Sequence, residues 1–189
     1  MQDRFRELAQ ESIDTMQRSL TLADAVAASA TALVGALTAN CKILICGNGG
    51  SAADAQHMAA ELVGRFERER RALPCVALTT DSSLLTAWSN DHAFDTVFAR
   101  QVSALGQVGD VLIGISTSGQ SASVVRAVEQ AQTQGLTCVT LSGRGGGALA
   151  RIPGAHHVVV PSESTARIQE VHLLVIHTWC RLIDEAFAD

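Results

Sequence analysis

The chain has 189 residues, 47% of them apolar and 17% charged, which excludes a disordered protein and suffices for one domain with a real core. A net charge of −5 lacks the basic face of a general nucleic-acid binder, so no nucleic-acid partner is expected. No apolar run is read as long enough to cross a membrane, and the charged N-terminus MQDRFRELAQES lacks the apolar stretch of a signal peptide.

Residues 4–40 show a helical period without strand character. Phe5, Leu8, Ile13 and Met16 mark one helix; after Leu22, residues Ala25, Val26, Ala30, Leu33, Val34 and Leu37 mark a second. Their small apolar faces exceed what one domain edge needs, which points to helix packing between subunits, with a helical lid on the chain's own sheet as the simpler alternative. Residues 43–46 read as a buried strand, broken by Gly47-Asn48-Gly49-Gly50, with Ser51 as N-cap of a helix reaching Gly64. The run ERERR at 67–71 reads as a solvated surface turn. Strands are expected at 74–78, 110–115, 136–141 and 157–160, and helices at 84–88, 94–105, 121–134 and 166–187. A cap cluster, Thr79-Thr80-Asp81-Ser82, precedes the first of those helices, and a glycine-rich turn fills 142–147.

Strands alternating with helices define an α/β class: three αβα layers around a central, mainly parallel five-stranded sheet of flavodoxin-like type, after an N-terminal helical pair. One domain is expected over 1–189, with helices at 1–40 and the α/β core at 41–189. Cys46, Cys75, Cys138 and Cys180 fall in apolar segments, Cys41 just precedes a strand, and none has C-x-x-C spacing. They read as core thiols of a protein in a reducing cytoplasm.

Two polar loops fall at the carboxyl edge of such a sheet, where ligands bind. Asn48-Gly49-Gly50-Ser51 opens a helix and so forms an anion site, although it matches neither a Walker loop nor G-x-G-x-x-G. Ser116, Thr117, Ser118 and Ser121 offer four hydroxyls at another helix start with no basic residue, which suits a phosphate monoester. His57 and Glu61 are four apart and share one helix face. Taken singly, these features are ordinary turn glycines, a capped helix, a solvated His/Glu pair and packing histidines at His172 and His177. Together, on one sheet edge, they favour sugar-phosphate binding.

The segments CGNGGSAADAQHMAAELVGR, SND at Ser89–Asp91, GISTSGQS at Gly114–Ser121 and ARIQEVH with the IH that follows resemble the sugar isomerase (SIS) family across essentially the whole chain. The likeness is to its branch that converts sedoheptulose 7-phosphate to D-glycero-D-manno-heptose 7-phosphate, a precursor of ADP- or GDP-heptose for lipopolysaccharide or other surface heptose. The resemblance implies an acid–base pair at Glu61 and His177. It implies zinc, one ion per subunit, on His57, Glu61, Gln169 and His177. Substrate contacts are implied at Asn48, Gly49, Gly50, Ser51, Glu61, Asn90, Asp91, Ser116, Thr117, Ser118, Ser121 and Gln169. Ala166 stands where some members carry an Asp, which removes any assisting carboxylate there. The rival within the fold is a non-catalytic regulator that senses a sugar phosphate or binds the replication initiator; retention of Glu61 and His177 favours the enzyme.

Gln169 and His177 are eight positions apart, about 12 Å along one helix, whereas zinc bonds are about 2.0–2.2 Å. Either the last helix starts after Gln169, or one of the two serves a neighbouring copy's site. The second alternative gives an active site shared between subunits of the homotetramer that the resemblance implies.

Overall fold

A computed structural model describes residues 1–188. Three apolar runs form its central strands, β1 (Ile43–Gly47), β3 (Val111–Ser116) and β4 (Thr137–Ser142), buried along almost their whole length as strands covered on both faces must be. The shorter and more exposed β2 (Cys75–Ala77) and β5 (His156–Val159) are the edges. All pairings are parallel, in the order β2-β1-β3-β4-β5. The chain leaves β1 toward one edge and later returns on its other side, so the crevice beyond β1 and β3 is the topological switch point.

Strand side chains alternate between two faces, and each face has its own helices. On one, Ile43, Ile45, Ile113 and Val139 meet Leu33 and Leu37 of α2 (Ala23–Thr38), Met58 and Leu62 of α3 (Gly50–Val63), and Ile176 and Trp179 of α7 (Thr165–Phe187). On the other, Leu44, Leu112 and Cys138 meet Phe98 and Val102 of α5 (Val97–Leu105) and Val124 and Val128 of α6 (Ala122–Thr133). Trp179 is fully buried and its Nε1 donates to the Val26 carbonyl at 3.1 Å, pinning α7 to α2. Truncating a fully buried leucine such as Leu37 to Ala would cost about 2–5 kcal/mol.

The sequence expectations hold for the layers and differ in detail. The N-terminal pair is α1 (Gln2–Arg18) and α2, joined by a 3-10 turn at Ser19–Leu22. By length and composition, Gln2–Thr38 contains a stretch apolar enough to cross a membrane, which the sequence reading had excluded. Here the 3-10 turn interrupts it, and its small apolar residues pack on the sheet and α7. α4 runs from Ser82 to Asp91, so Asn90 and Asp91 are helical. The helix expected at 94–105 begins as a separate 3-10 turn, Phe94–Thr96, where Thr96 Oγ1 accepts from Trp88 Nε1 at 2.8 Å. At 67–71 the expected solvated turn fails at Arg70, whose side chain is wholly buried against Asp184.

The loop after β3 is held by its neighbour after β4. Gly119 has φ +63°, and a Cβ there would overlap the Gly146 carbonyl. A Gly119→Ala variant is therefore expected to lose about 3 kcal/mol or more, a fall in melting temperature of about 6–12 °C by thermal unfolding. A melting temperature within about 1 °C of the parent would mean that the two loops are not in this register.

Candidate active site

Beyond β1 the backbone turns through Asn48 and Gly49 into α3. Gly49 caps the helix with φ +56°, a conformation that costs glycine nothing. The expected Ser51 cap is thus replaced: Ser51 is buried in the first turn, its N–H donating to the Asn48 carbonyl at 3.0 Å. Asn48 Nδ2 donates to Ser123 Oγ at 3.0 Å, which ties this turn to α6. Gly49 and Gly50 remain exposed, so their backbone is open to a ligand.

On the adjacent strand, Ser116 Oγ lies 3.0 Å from Ser121 Oγ and 3.5 Å from Ser118 Oγ. Ser118 Oγ accepts from the Gln120 N–H at 3.2 Å. Ser121 is the N-cap of α6 by position, but its hydroxyl joins the serine cluster instead of bonding to the helix. Thr117 stands half-buried between Ser116 and Ser118. Converging hydroxyls, the first N–H groups of α6 and its dipole make a site for an anion with many acceptor oxygens.

α3 and α7 lie side by side, and their contacts set the rest of the geometry. Gln169, one turn into α7, places its amide so close to Gly50 that a Cβ there would overlap Nε2. Farther along, His177 Nε2 is 3.2 Å from His57 Nε2, and His57 Nε2 is 3.3 Å from Glu61 Oε1. The side chains of His57 and Glu61 are 38% and 27% exposed, open enough to be reached by a ligand. Phe66 stacks on the His177 ring, with centroids 5.5 Å apart. Among the described residues no three His, Cys, Asp or Glu side chains form a closed metal-holding group. Here His57 touches both partners, while Glu61 and His177 form no ion pair with each other.

Two sequence expectations change. α7 is unbroken from Thr165 to Phe187, so it does not start after Gln169. His57, Glu61 and His177 meet within one chain, so Glu61 and His177 need not come from different subunits. Gln169 remains apart from that trio, at the Gly50 end. Asn90 and Asp91 are exposed and joined to each other, Nδ2 to Oδ1 at 2.9 Å, with no hydrogen bond to either polar loop. His172 is a packing residue: burial lowers its pKa to about 4 against the opposing hydrogen bond with the Ser142 carbonyl, so it is neutral at pH 7.

Sequence reasoning missed Asp54. It precedes His57 by three positions and Glu61 by seven, so helical spacing alone puts it on their face. Burial raises its pKa, partly countered by His57, and Oδ2 finds no hydrogen-bond partner among the described residues. Phe66 was missed as well; it lies outside any motif, and only tertiary packing brings it to His177.

Residues 5–143 match the SIS domain family, and the chain belongs to that family. The phosphoheptose isomerase of Campylobacter jejuni is 53% identical over 178 residues, covering 94% of this chain and 95% of its own. That of Halorhodospira halophila is 54% identical over 185 residues, covering 96% and 93%. The solved phosphoheptose isomerase from Neisseria gonorrhoeae has a TM-score of 0.92 at 46% identity, covering 97% of this chain and 98% of that one. Within the family the chain stands with the phosphoheptose isomerases: it is an enzyme, an isomerase of sugar phosphates. The non-catalytic regulator is set aside.

Gly50 gives a specific test of the Gln169 contact. A methyl at this position displaces only the end of a flexible side chain, so Gly50→Ala is expected to melt within about 2 °C of the parent. Its kcat/KM should fall at least about tenfold, on the order of 1.4 kcal/mol. Adding Gln169→Ala should then cost little more, because both changes remove the same contact. Full additivity of the two losses would show that Gly50 does not act through Gln169.

Proposed function

We propose that this enzyme converts sedoheptulose 7-phosphate to D-glycero-D-manno-heptose 7-phosphate, the first step toward ADP- or GDP-heptose for lipopolysaccharide or other surface heptose. The observation that carries this reading is that His57 lies against both Glu61 and His177, on a helix that starts at the glycine loop. From Gly50 to His57 is about 10 Å along α3, comparable to the length of a seven-carbon sugar chain.

In this mechanism Ser116, Thr117, Ser118 and Ser121, with the N-terminus of α6, hold the phosphate. Asn48, Gly49, Gly50, Ser51, Asn90, Asp91 and Gln169 contact the sugar. Glu61 removes a proton from C1 of the open ketose, giving an enediol, and a proton returned to C2 leaves the aldehyde at C1. His177 carries the hydroxyl proton from O1 to O2 and assists ring opening. Glu61 turns Oε1 toward His57, which leaves its second oxygen for the proton at carbon.

Zinc, one ion per subunit, belongs to the same proposal: His57, Glu61, Gln169 and His177 would hold it, and of these His57 already lies against Glu61 and His177. Donors around a tetrahedral zinc with bonds of about 2.0–2.2 Å stand about 3.4 Å apart. The 3.2 and 3.3 Å separations at His57 are close to that edge length. Zinc bound there would polarise the sugar oxygens beside the base. Gln169 would join only with its side chain and that of His177 extended along α7.

A homotetramer is part of the same proposal. Phe5 and Leu20 are 74% and 77% exposed and, with Ile13 and Met16, leave an apolar surface on the N-terminal helices that a second copy would cover. A cytoplasmic location is supported by five free cysteines. Burial pushes the Cys46 and Cys138 thiols up to about 12 and about 11, so both stay protonated and inert.

With sedoheptulose 7-phosphate as substrate, Glu61→Gln should fold and lose about 10²–10⁴-fold in kcat. Near-normal turnover would remove Glu61 from the mechanism. Ser118→Ala and Ser121→Ala should each raise KM, by about 1–3 kcal/mol in binding; unchanged KM in both would put the phosphate elsewhere. Dialysis against a chelator should abolish activity and added zinc restore it, whereas full activity of metal-free protein would exclude the metal.

A further inference from the structure

The last four carbonyls of any helix lack partners within it, and in α3 that last turn includes Glu61. The Gly64 and Leu73 N–H groups donate to the Ala60 and Leu62 carbonyls, at 2.9 and 3.0 Å, and the side chain that reaches this turn is Arg70, from the segment read as a solvated turn. Its Nη2 donates to the Glu61 carbonyl at 2.8 Å, and its Nη1 to the carbonyls of Leu62 at 2.9 Å, Arg71 at 3.0 Å and Gly64 at 3.3 Å. Its Nε donates to Asp184 Oδ1 at 2.8 Å. Asp184 Oδ2 in turn accepts from the Glu67 and Arg68 N–H groups at 2.7 and 2.9 Å. The Arg70 side chain is wholly buried and that of Asp184 is 1% exposed. Every nitrogen of the guanidinium is engaged, so the group has one place to sit.

Asp184 lies on α7 seven positions after His177, two turns along the same face. Arg70 therefore spans the two helices that carry the proposed acid–base pair, with its fork on the backbone of Glu61 and its Nε on the helix of His177. Burial alone would raise the Asp184 carboxyl, but the hydrogen bonds from Arg68, Glu67 and Arg70 outweigh it and hold it below the usual carboxylate range.

We propose that Arg70 is a positioning residue for the isomerisation: it caps the Glu61 turn of α3 and locks it to α7, fixing the base relative to His177. This rests on the proposed role of Glu61 as base. The glycine loop opens the opposite end of α3 and the serine loop opens α6, so loss of Arg70 separates turnover from binding.

Arg70→Lys keeps a cation beside Asp184 but lacks the fork that bridges several carbonyls. It should fold, lose about tenfold or more in kcat and keep KM within about threefold. Arg70→Ala should lose about a hundredfold or more in kcat, and millimolar guanidinium, but not ethylammonium, should restore part of it by filling the vacated site. Leu33→Ala, a core truncation in α2, serves as a stability control; assayed below its melting temperature, it should keep the parental kcat. Parental kcat in Arg70→Lys, or a loss confined to KM, would overturn the proposal. So would a kcat loss in Leu33→Ala equal to that of the arginine variants. If Arg70→Ala does not fold, Arg70→Lys decides alone. Glu61→Gln assayed in parallel separates the two ideas: an inactive Glu61→Gln beside a fully active Arg70→Lys refutes the positioning role only, and an active Glu61→Gln refutes the base itself.

Discussion

α3 and α7 come from distant parts of the chain, after β1 and after β5, yet they lie side by side over one face of the sheet and touch at three levels. At the first, the Gln169 amide occupies the space that a side chain at position 50 would fill. At the second, His177 meets His57. At the third, Arg70 and Asp184 close the pair at the Glu61 turn. Because Met58, Leu62, Ile176 and Trp179 are fully buried in one core with the sheet, neither helix can slide without breaking that core. The positions of Glu61 and His177 are thus consequences of core packing.

The serine loop works on a different principle. The chain is acidic overall and brings no lysine or arginine to the serine loop. Neutral hydroxyls, backbone N–H groups and the α6 dipole supply the attraction, in a crevice the sheet topology creates without further instruction. In the proposed function such a site holds the phosphate by number and direction of donors, which suits an anion that must leave with the product.

Much of this was legible in the residues. Alternating apolar runs and helices gave the layers, because fully buried strands and one-faced helices have distinct periods. The two polar loops were legible because both follow strands at the carboxyl edge of one parallel sheet, where ligands bind. Contacts set by tertiary packing were not: ERERR looks like a solvated turn, and nothing local says that Arg70 alone of its charges turns inward to Asp184, far ahead in sequence. Spacing on α7 correctly warned that Gln169 and His177 are far apart. It could not foresee that α3 runs alongside α7 and brings His57 to both. Asp54 is within reach of helical spacing, three positions before His57 on the same face.

The central claim is that one chain supplies the whole acid–base cluster. The direct measurement mixes two inactive variants, Glu61→Gln and His177→Ala, after dissociation and reassembly, with subunit exchange confirmed by mass-labelled chains. If one chain holds both residues, every site in a mixed oligomer still lacks one of them, and no activity returns. Activity recovered in proportion to the mixed species would show that Glu61 and His177 meet across a subunit boundary, and would contradict the account.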